Sequence, residues 1–361
     1  MRGLRKYLTP FAPDQSGAVS VFYALGGLTV IVDAGGCTGN ICGFDEPRWQ
    51  TGYGDRNGRV GAVFSAGLRD MDAILGRDDL LVRKLTEAAA QIRAEFIALV
   101  GTPVPAVIGT DLFALKRMTE KKTGMKVIVV PSNGMELYDK GIETALLELF
   151  KEYAKEREAK NTANDKKSGS RNIVGVIGLT PLDFFDPKTS VKLRKHLTER
   201  GASDVYCYGW DEGTDEFKNA GDVAENLVVS PAGLESARYL QKRYGTPFRT
   251  GWPLAAADLT LVPQSAQNIL IVHQQVIANA IRSSLPGRKV RAASWFMQKK
   301  ELMQEGDFAL RQEDDFERAV CEGGYDVIIA DESMRQIVPF YQGVWIDAVH
   351  FAVSGQRAID G

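Results

Sequence analysis

Cysteine and histidine are scarce in this chain, four and three among 361 residues. The histidines, His196, His273 and His350, form no H-x-x-H or HExxH pattern, so a catalytic zinc site of that kind finds no support. The basic start MRGLRKYLTPFAPD is not followed by the apolar core of a secretory signal. Four cysteines without such a signal argue against a structural disulfide framework. Long hydrophobic runs are missing too: LTVIV (28–32) and NILIV (268–272) are far too short to cross a bilayer. Nor does one sign of charge dominate. The formal net charge is -2, which points to neither a nucleic-acid nor a membrane-surface partner. The glycine-rich loops contain no GxGxxG fingerprint, no P-loop and no nucleophile elbow. The expected location is the cytoplasm.

What is present is a repeated theme of a short β-branched run, a Gly/Pro/Ser turn and a helical pattern. Strands are expected within 28–36, 125–134, 172–181, 226–231, 268–275 and 325–334, and helices over 140–156, 190–201, 233–245 and 276–287. Continuous apolar strands alternating with amphipathic helices indicate α/β units with parallel sheets. Gly201, Gly245 and Gly287 are expected as left-handed helix caps. The polar, charged stretch 155–171 reads as a linker, and a softer boundary falls near 258–267. Three units follow: an N-terminal α/β domain over 1–160, a middle one over 172–262 and a C-terminal one over 263–361. Ligands of such sheets bind where the strands end, so the loops after the strands are the places to look.

One of those loops carries chemistry. DAGGCTGNICGFDEPRW (33–49) follows LTVIV directly and combines Cys37 and Cys42 with a run of glycines. Gly35, Gly36 and Gly39 let the backbone approach a bulky group, and their N–H groups could donate to cluster sulfides. Soft thiolates favour an iron–sulfur cluster or zinc. Two cysteines make an incomplete set, which two chains meeting across the loop would complete to four. The alternative is a tight turn with two buried thiols, since cysteine is among the most buried residue types. Asp33, Asp45, Glu46 and Arg48 flank the pair, either as proton relays and partner contacts or as loop-fixing and solvated charges. Cys207 and Cys321 read as core or partly exposed thiols. His273, in a loop after a strand, is the best-placed histidine.

Four stretches resemble the nitrogenase component 1 family: GAVSVFYALGGLTVIVDAGGC (17–37), FIALVGTPVPAVIGTDL (96–112), NLVVSPAGLESARYLQKRYGTPF (226–248) and LRQEDDFERAVCEGGYDVIIADE (310–332). The resemblance implies three Rossmann-like domains around a central cavity. It also implies a homodimer or a heterodimer with a paralogous subunit, an iron–sulfur cluster between the two, and a separate ATP-dependent iron protein as reductant. Cys37 is similar to the middle of three cluster cysteines in that family. The other two positions fall at Ala12 or Pro13 and at Thr102, and Cys42 is extra. That set suits one 4Fe-4S cluster shared by two protomers. The family's molybdenum-cofactor cysteine falls at Ser230, and PFYQGVWIDAVHF offers no clear counterpart of its histidine ligand, so dinitrogen reduction is not expected. The implied activity is reduction of a small-molecule substrate in the inter-domain cavity. A scaffold for metallocluster assembly and a cluster-free interaction paralogue are the alternatives.

Overall fold

A computed structural model of the chain describes residues 5–41, 61–68, 78–155, 172–183, 186, 188–210 and 213–355. The first unit contains strands β1 (Leu28–Ile31), β2 (Ala62–Ser65), β3 (Ile97–Val100) and β4 (Val127–Val130). Its helices are α1 (Asp14–Ala24), α2 (Gly36–Asn40), α3 (Asp78–Gln91), α4 (Pro103–Ile108), α5 (Leu112–Thr123) and α6 (Tyr138–Tyr153). The second has β5 (Ile173–Ile177), β6 (Asp204–Cys207), β7 (Glu225–Val228) and β8 (Phe248–Thr250), with α7 (Thr189–Glu199), α8 (Asp215–Lys218) and α9 (Leu234–Tyr244). The third has β9 (Asn268–Val272), β10 (Lys289–Ser294), β11 (Phe308–Ala309), β12 (Val327–Ala330) and β13 (Val344–Asp347), with α10 (Gln275–Ser283), α11 (Glu313–Gly323) and α12 (Phe351–Ser354).

Each unit folds into one parallel sheet, in the orders β2-β1-β3-β4, β6-β5-β7-β8 and β11-β10-β9-β12-β13. Leu28 of β1 lies between Ala62 and Ile97, and Ile269 of β9 between Val290 and Val327. Strands β1, β3, β4, β5 and β12 are buried along their whole length. Helices cover both faces of such sheets, so these strands read as unbroken apolar runs. The winding reverses between β1 and β3, between β5 and β7, and between β9 and β12. A crevice opens outside the carboxyl ends of the strands at each reversal.

The expected strands are present but shorter, because the Gly- and Pro-containing ends of each run form the loops. Gly245 caps α9 with φ 74°, as its position after the helix suggests. Gly287 also has positive φ, but α10 already ends at Ser283, capped by Ser284, and the glycine serves the turn into β10. The expected linker lies outside the described residues from 156 onward. Helices α1 and α6 cross through two glycines. A Cβ on Gly17 would sit 1.8 Å from the Tyr138 carbonyl oxygen, and one on Gly141 would sit 1.7 Å from that of Asp14. That backbone contact fixes the start of α6, where Tyr138 stands. No helix among the described residues is long and apolar enough to cross a membrane.

Candidate functional site

The crevice of the first sheet contains the cysteine loop. Just past β1, Asp33 is almost wholly buried. Its carboxylate accepts from the Thr38 N–H (2.9 Å), the Thr38 hydroxyl (3.0 Å) and the Ser65 hydroxyl (2.6 Å). Of the two roles open to Asp33, the geometry supports loop-fixing: it ties the turn, the first turn of α2 and the end of β2 together. Gly35 adopts φ 115°, a conformation that a side chain would strain. Cys37 follows in α2, half-buried and free. Burial, and secondarily the Asp33 charge, push its thiol above the ordinary range, so without a cation it keeps its proton. A bound metal ion would reverse that balance, because a coordinated thiol loses its proton.

Among the described residues, a Cβ added at Gly35, Gly36 or Gly39 would meet nothing within 4 Å, so none of them closes the face of the loop against an approaching group. Cys42, Asp45, Glu46 and Arg48 lie outside the described residues. Among the described residues no group of three or more His, Cys, Asp or Glu side chains is placed to hold a metal ion. The donor set therefore fits a cluster only as part of a site, with Cys37 as its described thiol.

Thr102, just past β3, donates its hydroxyl to the Val32 carbonyl (2.8 Å) and stands at the base of the same loop. Pro13 precedes α1 at its N-cap, and Ala12 accepts from the Tyr138 N–H (2.9 Å). Close to this helix start, the buried amide oxygen of Gln15 has no partner among the described residues and faces Gly134 of the loop after β4. Beyond Thr102 the surface turns apolar. Val104, Val107, Ile108 and Phe113 on α4 and α5, with Met135, are exposed, Val107 and Met135 by more than four-fifths. A cleft of about 160 Å³ between Gly101, Pro105, Leu112, Phe113 and Ser132 opens within this patch. Clustered exposed apolar side chains of this kind mark interaction surfaces.

The second and third crevices meet at a buried polar cluster that sequence reasoning missed. Tyr138 at the start of α6 donates its hydroxyl to Asp183, in the loop after β5. His350, just before α12, places Nε2 3.0 Å from the Tyr138 oxygen and 3.3 Å from Asp183 Oδ1. Tyr138 spends its only proton on Asp183, so Nε2 of His350 carries the proton that the other two accept. Nδ1 of His350 is buried without a partner among the described residues. Asp331, after β12, holds the His350 backbone N–H (2.9 Å) and the Ser354 hydroxyl (2.7 Å). Phe296 packs edge-on against both Tyr138 and His350. Beside them, burial raises the Asp139 carboxyl to about 6, against the opposing hydrogen bond from the Met297 N–H. Tyr138, Asp183 and His350 each come from a different unit, and all three are buried.

His273, after β9, stacks on His350 with ring centroids 4.4 Å apart. Its Nδ1 accepts from the Gln274 N–H (2.8 Å), and Nε2 therefore donates to the Val349 carbonyl (3.2 Å). Burial holds its pKa well below the usual range, so the ring is neutral and serves as a loop cap. Ser230 is likewise structural, donating to the Gly178 carbonyl (2.8 Å). Cys207 is buried in β6 and Cys321 is exposed on α11.

Over residues 45–259 the chain matches the family model described as nitrogenase component 1 type oxidoreductase. It belongs to that family. The matched stretch begins after Cys37, so the cysteine loop stands on its own geometry. The chain is 26% identical over 187 residues to the nitrogenase iron-molybdenum cofactor biosynthesis protein NifE of Clostridium pasteurianum, covering 51% of this chain and 38% of that protein. It is 20% identical over 198 residues to one subunit of the light-independent protochlorophyllide reductase of Synechococcus sp. (strain JA-3-3Ab), covering 54% of this chain and 39% of that one. The match thus spans well under two-thirds of these curated relatives. The structure of nitrogenase Cp1 at pH 6.5 has the same fold, with a TM-score of 0.64 at 13% identity over 96% of this chain and 87% of that chain.

Proposed function

We propose that the chain is an iron–sulfur reductase component with three domains, over 1–160, 172–262 and 263–361. In this reading it pairs with a second copy or a paralogous subunit in the cytoplasm and takes electrons from a separate ATP-dependent iron protein. Cys37 and Cys42 of each protomer would hold a 4Fe-4S cluster between the two subunits, with Gly35, Gly36 and Gly39 giving it room and backbone N–H groups. The observation that carries the reading is the half-buried Cys37 thiol in an open glycine turn, at the reversal of the first sheet and beside an exposed apolar surface. The cluster, when bound, supplies electrons one at a time. The chain's own residues then do three things. Asp33 holds the turn in shape, the patch around Val107 seats a partner, and the buried Tyr138–Asp183–His350 cluster ties the three domains together. Reduction of a small unsaturated substrate in the inter-domain cavity needs protons as well as electrons.

Anaerobic purification tests this. Brown protein with about four irons per dimer, lost in Cys37→Ala and Cys42→Ala, is the expected result for one shared cluster; colourless, iron-free protein from anaerobic cells would overturn it. Similarity to a cofactor biosynthesis protein favours a second reading, a scaffold on which a metallocluster is built and passed on. A scaffold would lose its iron to an acceptor protein and show no turnover with reductant.

A further inference from the structure

We infer that the third domain carries a second ligand site, a basic cleft between β10, β11 and α11 that takes a small molecule bearing phosphate or carboxylate groups. The cleft has a volume of about 580 Å³, within the range of small-molecule sites. Arg291, Phe308, Arg311, Arg318, Glu322 and Tyr325 line it, with Asp315 at its wall. Arg291 is the anomaly that points to it. Along β10, Ala293 faces the core shared with Phe316, Val320 and Tyr325, and Arg291 stands two residues earlier on that same face. A position there calls for an apolar side chain under the crossover helix, yet it holds a guanidinium.

The acids that could neutralise that guanidinium are committed elsewhere. Asp307 gives Oδ1 to Arg282 and the Ala292 N–H, and Oδ2 to the Gln304 N–H. Asp315 gives Oδ2 to the Arg311 and Gln312 N–H groups and Oδ1 to Arg318. Arg291 and Arg311 are left with no carboxylate partner among the described residues, while Arg238, Arg282, Arg318 and Arg335 are all ion-paired. Glu322, exposed at the rim, is the remaining acid of the lining. The Arg291 side chain lies against Gly306, where a Cβ would come within 3.2 Å of its Nε. Two forked donors facing one cleft suit an oxyanion, which guanidinium binds in a bidentate manner. The site lies on a different sheet from the cysteine loop and does not depend on the function proposed above.

The test is calorimetric titration of the full chain at about 50 mM salt, where screening is mild, with inorganic pyrophosphate and separately with citrate. One saturable site is expected for at least one probe, weakened tenfold or more in both Arg291→Gln and Arg311→Gln. Stronger binding of pyrophosphate assigns a phosphate ligand, and stronger binding of citrate a carboxylate one. Arg311 is exposed, so Arg311→Gln reports on the site even if Arg291→Gln fails to fold. The inference falls if neither probe saturates, or if Arg311→Gln binds both as the unaltered chain does.

Discussion

The crevice of the first sheet and the crevices of the second and third are made by the same winding, yet they are finished in opposite ways. At the first, the loops after β1 and β3 end in open glycines, a half-buried thiol and exposed apolar side chains. At the others, the loops after β5, β9 and β12 close on one another through Asp183, His273 and Asp331, with Tyr138 and His350 between them. Among the described residues nothing closes the first crevice, and a second chain could. The others satisfy nearly all of their polar groups within one chain. Changes at the first should therefore alter what the protein binds, and changes at the others should alter whether it stays folded.

The sharpest test of that contrast is at Cys37. Cys37→Ala should abolish bound iron, from about four per dimer to none, while changing unfolding free energy by less than about 1 kcal/mol, since the side chain is only half-buried. Iron quantitation and urea denaturation of one preparation give both numbers. Retained iron would show that the crevice is not a metal site.

Asp183→Ala should do the reverse. It strands the Tyr138 O–H donor in a dry interior, while His350 Nε2–H keeps the Tyr138 oxygen as its acceptor; one unsatisfied buried group costs on the order of 1–3 kcal/mol. A loss of about 1–3 kcal/mol is expected in urea denaturation, with iron per folded dimer unchanged. A neutral result would mean that water reaches the junction.

The junction should also respond to acid. Asp139 titrates near 3.8 when unfolded and about 6 in the folded chain, with burial as the main cause. Between those values the native state keeps a proton that the unfolded state releases, so this group's contribution is full below pH 4 and is lost as pH rises to about 6. The loss is on the order of 2–3 kcal/mol, at 1.36 kcal/mol per pKa unit. Asp139→Asn should remove that slope, as read from unfolding free energies at pH 4.5 and 6.5 against the unaltered chain. An unchanged difference between the two pH values would place the titration elsewhere.

How much of this was legible in the sequence depends on the distance between partners. The β-branched runs and the cysteine turn are local patterns, so 28–31, 127–130 and 268–272 emerge as strands and Cys37 as a residue just past β1, where the structure winds the expected loop into the short helix α2. The resemblance to the family is what pointed to Thr102, whose contact with Val32 spans 70 residues. The junction was hidden because Tyr138 meets Asp183 across 45 residues and His350 across 212. A signal was available in WIDAVHF, where a histidine interrupts an apolar run: a buried polar group requires a partner. The sequence pattern says that such a partner exists and not which residue it is. The exposed face of α4 was illegible for another reason, since Val104 and Val107 read as ordinary apolar residues until the fold shows them uncovered.

That uncovered face gives the smallest effect on the chain itself and the most specific test of the first crevice. Val107 is 85% exposed, so Val107→Asp should leave unfolding free energy within about 0.5 kcal/mol. If α4 seats a second subunit beside the cluster loop, a carboxylate buried there should weaken association by about tenfold or more, the scale of an interface hot spot. Sedimentation velocity over a dilution series measures the shift, and iron should fall with the dimer because each protomer holds only part of the ligand set. Val191 supplies the control: it is 63% exposed on α7 in the middle sheet's unit. Val191→Asp makes the same chemical change away from the cysteine loop. Equal weakening by both would show a general effect of added charge, whereas loss with Val107→Asp alone ties assembly to the first crevice.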